Sequence, residues 1–311
     1  MLKQLTIAVA AVALLAQAAH AQLKVVTTAP EFADLARQIG GDKVEAHAVM
    51  MGPENMHNVF ATPPHMLKLN KADLFVHFGL DAEPWREPLM KGARNGKILD
   101  GQPGNVDMSA GITMKEVPTK VDGGQGDIHA FGNPHYHLDP RNVQRMVATL
   151  AKAMIAADPN NAKKYEERAI ALVKEFGELY KQLLEELKPY EEVKIATYHQ
   201  GWVYFIDAFK LTSAGTIENK PGITPSPSEI AATIERLKKE NVKVVIVETY
   251  NSYKDAKAVA DAIGAECIVL PDHVNGVKEA DSYQNLFKYN VGAIIAAAKR
   301  AGVQPATAPA K

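Results

Sequence analysis

The feature that most constrains the fold is one long helical pattern in the middle of the chain, at residues 160–187. Its apolar residues recur along one side at three- and four-residue spacing, and Lys188-Pro189 ends it. A helix of this length reaches about 40 Å, which exceeds the span of a small lobe. An ordinary surface helix or a coiled-coil seam would show the same pattern. Because strand-helix alternation resumes immediately after it, we expect this helix to bridge two lobes.

Both flanking segments alternate between short apolar strands and amphipathic helices. The predicted strands lie at residues 23–27, 43–50, 74–78 and, more weakly, 98–99 before the helix, and at 193–197, 211–217, 242–248 and 266–270 after it. Such alternation is typical of parallel sheets covered by helices. The predicted fold class is therefore α/β, with two α/β lobes of mainly parallel strands joined by one long backbone helix.

The predicted organisation is a signal peptide at 1–21, an N-terminal lobe at 22–158, the linking helix at 159–189, a C-terminal lobe at 190–303 and a disordered tail at 304–311. Lys3, an apolar run and the small-residue sequence Ala19-His20-Ala21 are typical of a cleaved secretory signal, which predicts a periplasmic protein. A lipid anchor is disfavoured, because the only cysteine, Cys267, lies far from the signal. That single cysteine also excludes an internal disulfide.

The charge balance argues against nucleic-acid binding. The chain carries 35 Lys and Arg against 36 Asp and Glu, for a formal charge of −1. It has no basic excess for phosphate backbones and no polybasic arm for a membrane surface. Its ten histidines are more informative about function.

Two of these histidines lie in the stretch Asn133-Pro134-His135-Tyr136-His137-Leu138-Asp139-Pro140. The prolines restrict the backbone, and period-two geometry would point His135 and His137 to the same side unless the segment turns. A histidine-containing turn capped by Asp139 is the alternative interpretation. Other parts of the chain must decide between this turn and a metal site.

Four candidate ligands stand where ligands collect in open α/β sheets: three follow predicted strands, and His135 lies in a loop that leads into a helix. They are His57 and His135 in the first half, and His199 and Asp272 in the second half. A cleft between the lobes would assemble three imidazoles and one carboxylate, a set that suits Zn²⁺. His47 and His77 lie in predicted strands and favour core or supporting roles, and His65 favours an exposed helix position. Glu248 could orient a ligating imidazole or point into the cleft mouth.

The motifs occur in an order that resembles a known family. They are Met56-His57 before Ala61-Thr62-Pro63, Leu69-Asn70-Lys71-Ala72-Asp73-Leu74, Asn133-Pro134-His135 before Leu138-Asp139-Pro140, Tyr198-His199 before Tyr204-Phe205, and Asp272. Together they resemble the periplasmic metal-binding subunits of bacterial ABC importers, cluster A-I or ZnuA/TroA type, especially the zinc branch. The resemblance implies that His57, His135, His199 and Asp272 are the metal ligands and that the long helix limits hinge motion.

Three departures from this family stand out. The family often has an aromatic residue, commonly Trp, where His137 stands, and many zinc members carry a long His-rich loop. Here that loop is reduced to residues 123–132 with His129 alone, so a metal-collecting role is in doubt. His273 follows Asp272 directly, which leaves the fourth ligand less secure. We nevertheless expect Asp272, rather than His273 or Glu248, to be that ligand.

Two classes of function compete. A zinc-binding protein that delivers Zn²⁺ to an ABC permease is favoured over a zinc hydrolase, because a fourth protein ligand fills the position that a reactive water needs. A manganese or iron carrier is the alternative within the first class, but three imidazoles favour zinc. The resemblance implies a membrane permease as partner, with a periplasmic metallochaperone as a second candidate. We expect a monomer that is not an enzyme, whose zinc affinity falls steeply as three imidazoles protonate below about pH 6.5.

Overall fold

The structure is a computed structural model that describes residues 22–120, 126 and 129–305. The predicted signal peptide and residues 306–311 of the predicted tail lie outside the described residues. Within the described part of the chain, no helix has the length and apolar character needed to cross a membrane.

The first lobe is built on a four-stranded parallel sheet with strand order β2-β1-β3-β4. Its elements are β1 (Leu23–Thr27), α1 (Pro30–Gly40), β2 (Val44–Ala48), α2 (Pro63–Asn70), β3 (Leu74–His77), α3 (Arg86–Ala93), β4 (Asn105–Asp107) and α4 (Pro140–Ala157). The helices begin where the sequence supplies proline in the first turn, as at Pro30, Pro63 and Pro140.

The second lobe repeats this plan after the long helix α5 (Ala162–Leu187). Its sheet is also parallel, with order β6-β5-β7-β8. The elements are β5 (Lys194–Thr197), α6 (Val203–Ala208), β6 (Thr212–Thr216), α7 (Pro227–Lys239), β7 (Val244–Val247), α8 (Tyr253–Ile263), β8 (Glu266–Val269) and α9 (Tyr283–Arg300). The predicted fold class is thus confirmed: two parallel α/β lobes are joined by one long helix.

The predicted strand at 98–99 is wrong. Ile98 ends a short 3₁₀ helix, Gly96–Ile98, whose first turn is capped by the side chain of Asn95. The edge strand comes later, where Asn105 and Val106 pair with Phe75 and Val76 of β3. Helix α3 was not predicted, because its eight residues include a proline and a glycine and show little periodicity.

The long helix contacts both lobes. On the first lobe it packs against α1 and α4, and on the second it packs against α9. Phe176, fully buried on this helix, lies with its ring centroid 5.7 Å from that of Tyr283 and 6.5 Å from that of Phe287. One continuous cluster of buried apolar side chains therefore runs from the first lobe through the helix into the second.

The two lobes also meet directly. The amide of Tyr283 donates to the carboxylate of Asp34 across the interface, over 2.9 Å. At Gly52 the backbone of the first lobe approaches the second so closely that a Cβ atom would lie 2.2 Å from the carbonyl oxygen of Val274. A side chain does not fit there, so the close approach of the lobes depends on glycine at position 52.

Because a buried helix and direct backbone contact hold the lobes together, we predict that metal binding moves loops rather than lobes. Hinged binding proteins close through a few residues that absorb large φ/ψ changes, and a packed helix resists such changes. Small-angle scattering curves of the metal-free and metal-loaded protein should coincide within error. A clear contraction on metal addition would show that the lobes rotate about the helix.

Candidate metal centre

Three histidines from different segments meet between the lobes. His57 lies in the loop after β2, His135 precedes a 3₁₀ turn, and His199 follows β5. They are 5%, 2% and 4% exposed, and each offers a ligand atom within 4.8 Å of the other two. Their ring centroids are 5.4, 5.4 and 6.2 Å apart. The structure therefore brings together three of the four predicted ligands.

Each of the three imidazoles is held through its Nδ1 atom. Nδ1 of His57 donates to the carbonyl of Ala82 over 2.9 Å. Nδ1 of His199 donates to Oε2 of Glu218 over 2.8 Å, and Nδ1 of His135 donates to Oδ1 of Asn133 over 2.9 Å. An acceptor at Nδ1 leaves the lone pair on Nε2, which is the arrangement that metal-binding histidines use.

The Nε2 atoms lack the partners that buried polar atoms normally have. Nε2 of His57 and Nε2 of His135 are both buried without a hydrogen bond among the described residues. An unpartnered buried donor or acceptor costs roughly 1–3 kcal/mol. Cation binding at this point would offset that cost.

Asn133 fixes His135 more firmly than one bond would. Its Oδ1 accepts from both the backbone amide and Nδ1 of His135. Its Nδ2 donates to Glu116 and to the carbonyl of Gln200 in the second lobe, over 2.8 and 2.7 Å. The carbonyl contact fixes which end of the amide faces the imidazole. Asn133 of the predicted motif therefore orients a candidate ligand and links the two lobes.

The electrostatics of the three histidines differ. Burial lowers the pKa of His57 to about 3 and holds the pKa of His135 well below its ordinary value, with the neighbouring imidazoles adding to both effects. Burial also opposes the charged form of His199, but the hydrogen bond to Glu218 and the nearby carboxylates outweigh it and raise the pKa. Two imidazoles are thus already neutral and ready to bind a cation.

Asp272 is close enough to His199 for its charge to raise the pKa of that imidazole, but it does not belong to the group whose ligand atoms lie within 4.8 Å of one another. It is 1% exposed, its Oδ2 accepts from the hydroxyl of Tyr250 over 2.9 Å, and its Oδ1 has no partner among the described residues. Burial raises the pKa of this carboxyl. Its role as the fourth ligand stays a prediction.

Glu218, not Glu248, supports a candidate ligand. Glu248 is 2% exposed and accepts from Nε1 of Trp202 and from Nδ2 of Asn251, so it neither orients one of the three imidazoles nor lines an open mouth. Sequence analysis missed Glu218. The available signal was its position just after β6, the strand that pairs with the one preceding His199.

The side chains of His135 and His137 point in different directions, whereas simple alternation would place them on the same side. Residues Tyr136–Leu138 form a 3₁₀ turn, so the segment bends before α4. His137 then points to Glu31 and His273 rather than to His57. The Asp139 cap is present as well, since its side chain accepts from the amide of Arg141. The motif is both a capped helix start and part of the candidate metal centre.

The remaining histidines take supporting or surface roles. His77 is buried and bonds to Asn105, whereas His47 is partly exposed and pairs with Glu45. Nδ1 of His65 accepts a hydrogen bond from the amide of Thr62 in the first turn of α2. His129 is held by Asp81, and its ring centroid lies 4.8 Å from that of His57.

A cavity leads from the surface to these imidazoles. Its lining includes His129, His135, His199, Glu116 and Gln200, which come from both lobes. A buried set of three imidazoles, two of them neutral, reached through a cleft between two lobes, defines a binding protein for a metal ion. The imidazoles lie where two parallel sheets present their carboxyl ends, which is where open α/β sheets bind ligands.

The comparisons with known proteins identify the family. Residues 25–297 match the family described as ZnuA, zinc-uptake complex component A, periplasmic, and the chain belongs to this family. The manganese ABC transporter substrate-binding lipoprotein PsaA of Streptococcus mitis is 27% identical over 282 residues, which cover 88% of each chain. The metal ABC transporter substrate-binding lipoprotein FimA of Streptococcus parasanguinis is 27% identical over 285 residues, or 89% of each chain.

Solved structures agree on the fold. A crystal structure of ZnuA matches with a TM-score of 0.74 and 27% identity, covering 89% of this chain and 99% of that one. The Mn-bound periplasmic metal-binding protein of Candidatus Liberibacter asiaticus matches with a TM-score of 0.73 and 24% identity, covering 88% and 99%. The chain is thus a metal-binding, substrate-binding component of an ABC importer and not an enzyme.

The pKa shifts revise the expected pH dependence. Ligating imidazoles must be neutral, and His57 and His135 already are, so only His199, whose pKa is raised, has a proton to lose when metal binds. We predict that, in ring-nitrogen NMR of the metal-free protein, His199 titrates above 6.5 while His57 and His135 stay neutral between about pH 5 and 8. Metal affinity should then fall with the slope of one imidazole proton rather than three.

Glu218→Gln should lower the pKa of His199, because it removes the charge and weakens the hydrogen bond that raise this pKa. The exposed Glu191→Gln is the matched control and should leave it unchanged. Titration of His57 or His135 near the ordinary value of about 6.5 would contradict the predicted burial effect.

Proposed function

We propose that this protein captures Zn²⁺ outside the inner membrane and delivers it to the permease of an ABC importer. The proposal rests on one observation: each of three buried imidazoles has its Nδ1 atom held by a hydrogen bond, which leaves its Nε2 atom to bind a cation. The ion is cargo, so the site needs to bind it tightly and release it at the permease.

The donor chemistry supports zinc over manganese. Zn²⁺ is bound by imidazole nitrogen in a tetrahedron, whereas Mn²⁺ prefers a larger share of carboxylate and water oxygen. His57, His135 and His199 provide three nitrogens, and Asp272 would add one oxygen and a negative charge. The relatives named for manganese make Mn²⁺ the alternative cargo, and a direct competition decides between the two ions.

The family supports the remaining parts of the proposal. Relatives named as ABC transporter substrate-binding lipoproteins imply a membrane permease as the partner. An exported, periplasmic protein agrees with the family description and with the leader-like first 21 residues. Export by a cleaved signal peptide, action as a monomer and receipt of zinc from a periplasmic metallochaperone are parts of the proposal that each need their own experiment.

Replacing any of the three histidines by alanine should weaken zinc binding by more than about tenfold, since even loss of a supporting group costs roughly 10 to 100-fold. Calorimetry with a competing chelator measures this, and His47→Ala, a partly exposed histidine in the same lobe, is the control. Excess Mn²⁺ should fail to displace Zn²⁺ from the unaltered protein. A silent His57→Ala, His135→Ala or His199→Ala would remove that residue from the site, and efficient displacement would identify a manganese carrier.

Asp272→Ala should still bind zinc, but should lose it faster to a chelator. Three imidazoles can hold the ion with a water in the fourth position, as in catalytic zinc centres. Removing the carboxylate takes away the one negative charge that offsets the ion in a buried site. Glu83→Gln changes another buried carboxyl, which bonds to the amide of Phe78, and should release zinc at the unaltered rate. The opposite ranking of the two variants would refute Asp272 as the fourth ligand.

A further inference from the structure

A second cluster of ionisable side chains lies behind the three histidines and plays no part in the proposed zinc capture. It consists of Glu31, His137 and His273, all of which are fully buried. Glu31 opens α1 after β1, and His273 follows β8, so this cluster also lies at the carboxyl ends of strands from both sheets. We infer that Glu31, His137 and His273 form a second divalent-cation site, which bridges the two lobes.

The spacing of the three side chains fits one cation. Each offers a ligand atom within 4.8 Å of the other two, the same limit that holds for His57, His135 and His199. Ligand atoms on a tetrahedral ion with bonds of about 2.1 Å lie about 3.4 Å apart, so each atom needs to move inward by less than about an ångström. Nδ1 of His273 already lies 2.9 Å from Oε1 of Glu31, and Nε2 of His137 lies 3.9 Å from that oxygen.

The rings have the spacing expected of imidazoles that share a metal. The centroids of His137 and His273 are 4.9 Å apart with the ring planes 2° from parallel, compared with 5.4 Å and 73° for His57 and His135. Two imidazoles on one tetrahedral ion place their ring centres about 5 Å apart, given a bond of about 2.1 Å. The second cluster is therefore at least as compact as the first.

Buried polar atoms without a hydrogen bond are a second indication of a ligand, independent of the spacing. Oε2 of Glu31, Nδ1 of His137 and Nε2 of His273 are buried without a hydrogen bond among the described residues. Buried polar atoms are rarely left in this state, and each costs roughly 1–3 kcal/mol. Each of the three side chains thus keeps one buried atom without a hydrogen bond, and a cation bound in this fully enclosed cluster would offset that cost.

Asp272 connects the two clusters. Its Oδ2 lies 3.6 Å from Nε2 of His273, and its backbone carbonyl accepts from Nε2 of His137 over 2.9 Å. A cation at the second site would therefore lie beside the carboxylate expected to complete the first. With two imidazoles and at least one carboxylate, the second set is richer in oxygen than the first, so it should accept Mn²⁺ more readily than the first site does.

The consequence is mechanical as well as chemical. Glu31 and His137 belong to the first lobe, and His273 belongs to the second, so an ion bound by all three cross-links the lobes. A ligand that binds only the folded state raises its stability. The second ion should therefore raise the melting temperature even when the first site is disabled.

The test uses the full mature chain and ZnCl₂ as the probe, with metal content measured after equilibrium dialysis. The unaltered protein should hold two zinc ions, the His57→Ala/His135→Ala variant one, and the Glu31→Gln/His273→Gln variant one. Glu83→Gln changes another buried glutamate of the first lobe, which bonds to the amide of Phe78, and should still hold two. Thermal melting of the His57→Ala/His135→Ala variant should shift upward with ZnCl₂, and with MnCl₂ as well.

His137→Phe guards against loss of folding, because it keeps a ring of similar volume and removes only the nitrogens. Circular dichroism checks that each variant is folded, and the His137→Phe protein should hold one zinc ion. The inference is overturned if the His57→Ala/His135→Ala variant binds no zinc and its melting is unchanged, since hydrogen bonds alone then hold the cluster. Loss of the tight zinc only in the Glu31 and His273 variants would instead refute the proposed function, because the carrier site would then be the second cluster.

Discussion

The structure depends on how an imidazole is held when it is removed from water. A buried neutral histidine needs an acceptor for its N–H, and here a carbonyl, an amide oxygen and a carboxylate supply one each at His57, His135 and His199. Each acceptor belongs to the same lobe as the imidazole it holds, and Asn133 stands only two residues from His135. Each lobe therefore sets the tautomer and the lone-pair direction of its own rings, and the packing of the lobes sets the distance between them. A cation bound by these rings would need little rearrangement of them.

Much of the fold could be predicted because its most regular elements have clear local sequence patterns. The buried strand Val244–Val247 is a run of β-branched residues, and the helix Ala162–Leu187 repeats apolar residues on one face for its whole length. Pro63, Pro140 and Pro227 are each the first residue of a helix, a position that favours proline. The candidate ligands His57, His199 and Asp272 were inferred from a rule about strand ends, which holds as long as the strands themselves are found.

What could not be predicted depends on contacts distant in sequence or on weak local patterns. Helix Arg86–Ala93 and strand Asn105–Asp107 are short and carry no clear period, so only packing on the sheet defines them. Glu218 supports His199 because two parallel strands place their ends side by side, which sequence spacing does not reveal. The pair of Glu31 and His273 is separated by 242 residues. The 3₁₀ turn after His135 places His137 beside that pair. Nothing in the local sequence pattern distinguishes this turn from an extended chain.

Because position 52 carries no side chain, substitutions there can adjust the distance between the two lobes. The lobes touch there backbone to backbone, with room for a hydrogen atom but not for a methyl group. Alanine and then valine at this position would push the lobes apart by increasing amounts, five residues before His57 and against the segment that directly follows Asp272 and His273. The donor set would stay chemically identical while the gap between its two halves widened. Such a series would separate what the ligands contribute to affinity from what their spacing contributes, and would give sensors of graded strength from a single scaffold.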